Sequence, residues 1–151
     1  MQTALIGKRV LVTQATEFMG PALCDVFIEQ GAEVIASTGE LSDAAAVDRV
    51  VREAGRLDVL LVNLAVKAPS TLAPHNVQVN AIAQNFVDNP TYFPAEVQAN
   101  PRFQERLARE VPLGRLVSAR EDAQFAAYLC SDAAACFVGQ VFPVCGGWAP
   151  R

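Results

Sequence analysis

The sequence predicts a doubly wound α/β fold built on a parallel sheet. Apolar runs of strand length alternate with helix-like segments along the first half of the chain, an alternation typical of βαβ units. The run "LDVLLVNLAV" is nearly all apolar, as strands covered on both faces are. At 151 residues, with no repeat and no low-complexity tract, the chain is interpreted as one domain.

The first half contains three predicted strands and two predicted helices. A strand over residues 10–13 is followed by a helix over residues 21–30, which Gly31 ends. "AEVIAS" is the second strand and "LDVLLVNLAV" the third. Between them Ser42 can cap a helix that runs to about Glu53.

The second half of the chain also predicts strands and helices, but it contains a long irregular loop. "NVQVNAIA" is the fourth predicted strand, the loop "QNFVDNPTYFP" follows, and "GQVFPV" is the last strand. Asn100 and Pro101 are a helix cap and a first-turn proline. Ser118 and Glu121 form a capping box that opens a further helix. The side chains of that helix that can face a core are Phe125, Tyr128 and Leu129.

One connection is too short for this fold. Only about ten residues, "KAPSTLAPH", separate the third predicted strand from the fourth. A crossover between parallel strands normally needs a helix and at least about 10–12 residues. Pro69 and Pro74 rule out a full helix there. We therefore expect a central segment to be missing near residues 68–75, through either a true deletion or an omission.

Composition excludes several classes of function. The net charge is −4 and no basic patch stands out, so nucleic acid is not an expected partner. No apolar stretch approaches the roughly 18 residues of a membrane span, so a membrane is not expected either. Four cysteines without a CxxC spacing, and one histidine, predict no metal site. The N-terminus lacks the pattern of a secretory signal, and Cys24 and Cys130 lie on apolar stretches. Both points favour a cytoplasmic protein with reduced thiols.

The residues carry a family resemblance. Residues 13–20, "TQATEFMG", stand where short-chain dehydrogenases/reductases have the turn TGxxxGxG, and Thr13 and Gly20 match it. "LVNLAV" resembles the family's NNAG strand and keeps Asn63, while "VNAIA" and "GQVFPVCGGW" resemble its later strands. The chain therefore resembles a Rossmann-like member of this family with its centre removed. The spacing from Thr13 through Phe18 to Gly20 is similar to the T-x4-(F/Y)-x-G turn of halohydrin dehalogenases, especially B-type members.

That closer resemblance implies a halide site in place of the nicotinamide. Gln14 and Phe18 would occupy the volume that two glycines leave free for a dinucleotide, and no acid follows the second strand until Glu40. We therefore expect no cofactor; the alternative is a divergent turn that still admits NAD or NADP. For Phe86 and Phe93 the competing interpretation is ordinary core packing. The halide- and substrate-binding residues that the resemblance implies are Phe18, Gln84, Asn85, Phe86, Val87 and Phe93.

The family's catalytic residues are not found in this sequence. The dehydrogenases use Ser with Tyr-x3-Lys and the dehalogenases use Ser with Tyr-x3-Arg, in which the cation lowers the pKa of the tyrosine that acts as base. Tyr92 and Tyr128 are the two tyrosines, and neither is followed by Lys or Arg four residues later.

Three functions remain possible at this point. The first is a halohydrin dehalogenase-like lyase that converts halohydrins to epoxides and halide. The second is an NAD(P)-dependent short-chain oxidoreductase. The third is a non-catalytic fragment or scaffold. The resemblance also implies a homo-oligomer, expected to be a tetramer, with Trp148 as an apolar anchor.

Overall fold

The structure, a computed structural model, describes residues 4–39, 41, 43–63 and 78–148. Strands and helices alternate along this chain, as the sequence predicts. The strands are Arg9–Thr13 (β1), Glu33–Ser37 (β2), Val59–Leu61 (β3), Ala81–Gln84 (β4) and Val141–Val144 (β5). The helices are Gly20–Glu29 (α1), Ala44–Ala54 (α2), Ala95–Gln98 (α3), Pro101–Glu110 (α4) and Ala119–Leu129 (α5), with a short 3-10 helix at Asp132–Ala134.

All the strand pairs are parallel, which confirms the predicted fold class. β1 lies between β2 and β3, and Val10 is the register partner of both Val34 and Val59. β4 pairs with β5, with Ala81 opposite Val141. Within the described ranges the strands form two sheets, β2-β1-β3 and β4-β5, rather than the single sheet that the sequence analysis predicted. The outer edges of β3 and β4 have no strand partner among these residues.

Helix α1 is defined by its ends and by one apolar face. Pro21 lies in its first turn, where a missing N–H costs nothing. At its other end Gly31 has φ 89°, and the N–H groups of Gly31 and Ala32 donate to the carbonyls of Ile28 and Phe27. This is the Schellman pattern that ends a helix. The buried face of α1 consists of Gly20, Leu23, Val26 and Phe27.

The main core lies between α1, α5 and one face of the strands. α5 contributes small residues, Ala123, Ala126 and Ala127, which allow it to lie close to α1. At the surface Arg120 of α5 pairs with Glu29 of α1. The strand residues packed against this core are Val10, Val12, Val34, Val59, Leu61, Ile82 and Val144. Both sheets therefore share one helical layer.

A second, smaller core holds the segment between β4 and α5. Phe86, Leu107 and Val111 are buried, and Phe93 and Phe103 pack against them. Asn100 caps α4 by accepting a hydrogen bond from the N–H of Arg102, as predicted. The predicted face of Phe103 and Leu107 is confirmed, and it attaches α4 to the loop after β4.

Several element boundaries differ from the predictions. The side chain of Asp43 caps α2 by accepting from the N–H of Ala46 at 2.8 Å, so Asp43 takes the role that was predicted for Ser42. Within the described residues β3 and β4 are shorter than their apolar runs, since the ladder of β3 with β1 covers three register pairs and that of β4 with β5 covers four. The sequence analysis did not predict α3, which lies directly after the Pro-rich loop.

The face of α5 also differs in part from the prediction. Leu129 is buried as expected, but Tyr128 is 43% exposed and Phe125 is half-buried. These two rings pack with Phe137 and Phe142 at the outer side of α5 and β5. The alanines of α5 face α1 instead, because only small side chains fit between the two helices.

The predicted missing segment near residues 68–75 lies outside the described residues, as do Ser42 and Glu40. Among the helices that are described, none is long and apolar enough to cross a membrane.

Candidate functional site

The candidate site lies where the strands of the first sheet end. The chain passes from β1 to β2 on one side and later returns to β3 on the other side of β1. The loops after β1 and β3 therefore leave the sheet in opposite directions. Open parallel sheets bind ligands in the crevice that this reversal creates, at the carboxyl ends of the strands.

The turn after β1 keeps the backbone shape of a glycine-rich loop without its glycines. Gln14 has φ 49° and Phe18 has φ 48°, both in the left-handed region that favours glycine. These are the two positions where the family's turn has glycine. Gly20 is retained, and a Cβ there would lie 2.5 Å from the carbonyl oxygen of Gln14 and 2.6 Å from the carbonyl of Ala15. Only glycine allows α1 to start this close to the turn.

Asn63 braces this turn from β3. Its side-chain amide donates to the carbonyl oxygens of Gln14 and Glu17 at 3.1 and 2.8 Å, and it is 6% exposed. Its own N–H donates to the hydroxyl of Thr13 at 3.2 Å. The N–H of Ala15 donates to the carbonyl of Ser37 at the end of β2. The turn is thus held by both neighbours of β1.

The second loop of the site starts at Gln84, the last residue of β4. The side-chain oxygen of Asn85 accepts from the N–H of Phe86 at 2.9 Å, and Phe86 adopts φ 52°. Val87 forms a parallel bridge with Val117, whose N–H donates to the carbonyl of Phe86. The Phe86 ring is 2% exposed and packs against Phe93, Trp148 and the guanidinium of Arg106.

Only some of the predicted site residues lie together. The ring of Phe18 meets the ring of Tyr92 edge to face, with 5.8 Å between centroids, and this contact connects the two loops. Phe86 and Phe93 stack on each other 6.0 Å apart and belong to the small core. Their placement agrees with the core-packing interpretation. Whether Gln84, Asn85 and Val87 contact a ligand stays a prediction.

An open recess lies beside the second loop. It has a volume of about 460 Å³ and is lined by Asp88, Pro90, Phe93, Pro94, Ala95 and Gln98. The Gln98 side chain donates to the carboxylate of Asp88 at 2.8 Å and to the carbonyl of Phe93 at 2.7 Å. These bonds hold the end of α3 against the loop, and they give the recess one acidic wall and one apolar wall.

A buried ionisable side chain contacts the residue at which the second loop begins. Asp122 of α5 is 1% exposed and accepts a hydrogen bond from the side chain of Gln84. Burial raises the pKa of Asp122 to about 6, and the hydrogen bond from Gln84 acts in the opposite direction.

Two of these residues carry roles that the sequence analysis missed. Asn63 was matched to the family's NNAG strand but given no contact with the turn. Asp122 was placed on a helix but not in its core. A signal for Asp122 exists, since Ala126 and Leu129 follow it at four and seven residues, the spacing of one helix face.

A parallel sheet with a left-handed turn at its switch point and a helix starting at a close-packed glycine is the arrangement of doubly wound α/β proteins, in which such turns often hold nucleotides. Comparison with known families agrees with this class. The model described as enoyl-(acyl carrier protein) reductase matches residues 67–149, which is more than half of the chain. The chain belongs to the short-chain dehydrogenase/reductase superfamily.

Curated relatives are oxidoreductases. The chain is 37% identical over 90 residues to a cis-4-hydroxycyclohexanecarboxylate dehydrogenase of Sinomonas cyclohexanicum, a match covering 58% of this chain and 34% of that protein. It is 31% identical over 98 residues to the NADPH-dependent reductase BacG of Bacillus subtilis, covering 60% of this chain and 38% of that one. The chain therefore spans about a third of the length of the curated relatives it matches.

Solved structures share the fold. A structure described as a dehalogenation enzyme has a TM-score of 0.82 at 21% identity, covering 97% of this chain and all of that one. L-sorbose reductase from Gluconobacter frateurii, solved with NADPH and L-sorbose, also has a TM-score of 0.82, at 17% identity with both chains fully covered. At these identities the likeness concerns the fold alone.

These comparisons correct two predictions. The halohydrin dehalogenase function is wrong, because the relatives and the matching family model are oxidoreductases. The expectation of no cofactor is wrong for the same reason, since the relatives include an NADPH-dependent reductase. The physical reason lies in the turn. Gln14 and Phe18 were interpreted as a lost dinucleotide loop, but the backbone beneath them keeps the glycine-like conformation.

Proposed function

We propose that the protein is an NAD(P)-dependent oxidoreductase of the short-chain family, with the cofactor bound over the turn from Thr13 to Gly20. The observation that carries this proposal is the left-handed backbone at both Gln14 and Phe18. That conformation is unfavourable for residues other than glycine. Its presence at both positions indicates that the turn's shape is maintained rather than lost.

The residues present fit the phosphates of a dinucleotide at the start of α1. Gly20 allows the helix to begin against the turn, and the first N–H groups of a helix favour anions. Asn63 satisfies two turn carbonyls and so keeps the turn in place. The side chains of Gln14 and Phe18 narrow the crevice, and the Phe18 ring is held to one side by Tyr92.

The cofactor would supply hydride transfer, and the chain's own residues would bind and orient it. Asn63 and Thr13 fix the turn between β1 and β3, and Gly20 sets the distance of α1. The recess beside Asp88 and Phe93 is proposed as the place of a small substrate, because it has one polar and one apolar wall. The loop between the proposed cofactor turn and the proposed substrate recess contains the predicted residues Gln84, Asn85, Phe86 and Val87.

The test is titration of the protein with NADPH and NADH by calorimetry, which needs no turnover. The wild type is expected to bind at least one dinucleotide. The double variant Gln14→Gly/Phe18→Gly is expected to bind it more tightly, because two side chains leave the crevice while the turn's shape stays. Arg56→Ala is the control, since the Arg56 side chain is 89% exposed at the opposite end of β3. Absence of binding in both the wild type and the double variant would contradict the proposal.

We also propose that the protein is a homo-oligomer and a single cytoplasmic domain. Support for association comes from two exposed apolar side chains: Val141 is 63% exposed on the face of β5 opposite Phe142, and Tyr128 of α5 is 43% exposed. Trp148 is 41% exposed near the same end of the chain. Light scattering of the wild type and of Val141→Glu is the test. A mass above that of one chain in the wild type, reduced in the variant, is expected, and a monomeric wild type would exclude the association.

A further inference from the structure

Asp122 is an ionisable residue in an apolar core. It lies on α5 with 1% exposure, one residue before Ala123 and four before Ala126, and both alanines belong to the core that α1 shares. Carboxylates are almost never buried this completely unless they are paired. The position of Asp122 therefore needs a reason beyond the packing of α5.

The partner of Asp122 is a neutral amide. Its Oδ2 accepts a hydrogen bond from the side chain of Gln84, while its Oδ1 is buried and has no hydrogen-bond partner among the described residues. The charged groups on the neighbouring elements are engaged elsewhere or exposed. Glu29 pairs with Arg120, Glu121 pairs with Arg115, Asp88 accepts from Gln98, and Asp25 is exposed.

Gln84 is the residue at which β4 becomes the second loop of the site. Beyond it the N–H of Asn85 donates to the carbonyl of Val144, and Phe86 turns into the left-handed conformation. Val87 then returns to the main core, where Ala15 and Met19 of the first turn also lie. Gln84 is thus the junction between the strand and the loop.

We propose that Asp122 is a positioning residue that holds the side chain of Gln84 and thereby fixes the loop from Gln84 to Val87 beside the cofactor turn. The interaction is a contact between α5 and the end of β4, so it links the helical layer to the site. This proposal rests on the proposed function only in taking the ligand of the neighbouring turn to be a dinucleotide. The loop's position can be measured without any cofactor.

Two features allow the position of the loop from Gln84 to Val87 to be measured. Burial raises the pKa of Asp122 to about 6, so this side chain loses its proton within two pH units of neutrality. Trp148 is the one tryptophan of the sequence, and its ring lies 6.0 Å from that of Phe86 in the loop. A change in the Asp122–Gln84 contact is expected to change the environment of Phe86 and therefore the fluorescence of Trp148.

The experiment follows Trp148 emission of the full chain between about pH 4.5 and pH 8, a range that brackets the pKa of Asp122. The wild type is expected to show a transition with a midpoint near 6. Asp122→Asn keeps the shape and removes the ionisation, so it is expected to fold and to show no transition. Asp88→Asn, a loop carboxylate bonded to Gln98, is the matched control and is expected to keep the transition. His75→Asn is the second control, because the ordinary pKa of histidine falls in the same range.

A second measurement tests the link through Gln84. Asp122→Ala and Gln84→Ala should each shift the emission, and the double variant should shift it no further than either single variant, because both remove the same contact. A wild type without a transition, a transition that survives Asp122→Asn or disappears in His75→Asn, or additive effects of the two alanines would each overturn the proposal. Failure of the dinucleotide titration would contradict the proposed function and leave these fluorescence results unaffected.

Discussion

At the scale of single residues, the site depends on backbone conformation more than on side-chain identity. Gln14, Phe18 and Phe86 are the non-glycine residues with positive φ in the part of the chain that the structure describes, and all three follow strands at the same end of the fold. Unfavourable backbone conformations persist where the surrounding contacts determine them, and they concentrate at functional sites. Here Asn63 and the ladder of β1 hold two of them.

Gln14→Gly is expected to stabilise the protein by about 0.5–1 kcal/mol. Relief of the left-handed conformation is worth roughly 1–2 kcal/mol, and the greater freedom of glycine in the unfolded chain offsets about 0.4–1 kcal/mol of that gain. Urea unfolding measures the difference. Gln14→Ala is the control, because alanine shortens the side chain without relieving the backbone. Equal stability of the two variants would show that the backbone is not strained at this position.

The stability of the protein should fall as pH rises past the pKa of Asp122. The folded state holds the proton up to about pH 6, whereas the unfolded chain releases it near 3.8. The stabilisation is therefore complete below about pH 4 and is lost as pH rises through about 6. The expected loss is about 2–3 kcal/mol. Urea midpoints of wild type and Asp122→Asn across this range measure it, and parallel pH profiles of the two proteins would contradict the assignment.

At the scale of elements, the junction between β1 and α1 has the least tolerance for change. A Cβ at Gly20 would lie 2.5 Å from a backbone oxygen of the turn, and backbone cannot move aside as a flexible side chain can. The same closeness brings the first N–H groups of α1 to the crevice. Gly20 therefore determines both how closely α1 packs on the turn and how near its first N–H groups lie to the crevice.

Gly20→Ala is expected to destabilise the protein by about 1–3 kcal/mol or more, as overpacking of a rigid contact does. Thermal or urea unfolding is the measurement. Gly39→Ala is the matched control, because a Cβ at Gly39 meets no atom within 4 Å. Equal losses in the two variants would indicate that the turn can move away from α1.

At the scale of the whole molecule, one face of the strands is covered and the other is partly open. α1 and α5 cover the face that carries Val59 and Leu61, but Leu60 is 55% and Val62 is 48% exposed on the opposite side. On β5 the same difference is seen, since Val144 packs against the core whereas Val141 is exposed. Parallel sheets are normally covered on both faces. This exposure agrees with a chain that spans about a third of the length of its curated relatives.

Leu60→Ser should change the stability of the chain by less than about 0.5 kcal/mol, because that side chain is already in contact with water. Leu23→Ala, in the core that α1 forms on the covered face and 7% exposed, should cost about 2–5 kcal/mol. Urea unfolding of both variants tests the asymmetry. A large loss for Leu60→Ser would mean that its face of β3 is covered in solution.

The sequence by itself determined the parallel α/β class, the caps of α4 and α5 and the end of α1. These features depend on neighbouring residues: Asn100 and Ser118 reach N–H groups only a few positions away, and Gly31 needs only its own backbone freedom. It also located the turn at residues 13–20, because an apolar strand and a helix start mark its ends.

The tertiary structure decided what these elements do together. The turn's shape depends on Asn63, some fifty residues away, so the side chains at Gln14 and Phe18 alone led to the wrong conclusion about the cofactor. The contact of Asp122 with Gln84 likewise joins a helix to a distant strand. Whether an aromatic or acidic side chain faces a core or a crevice is set by packing between elements. Local sequence patterns carry little of that information.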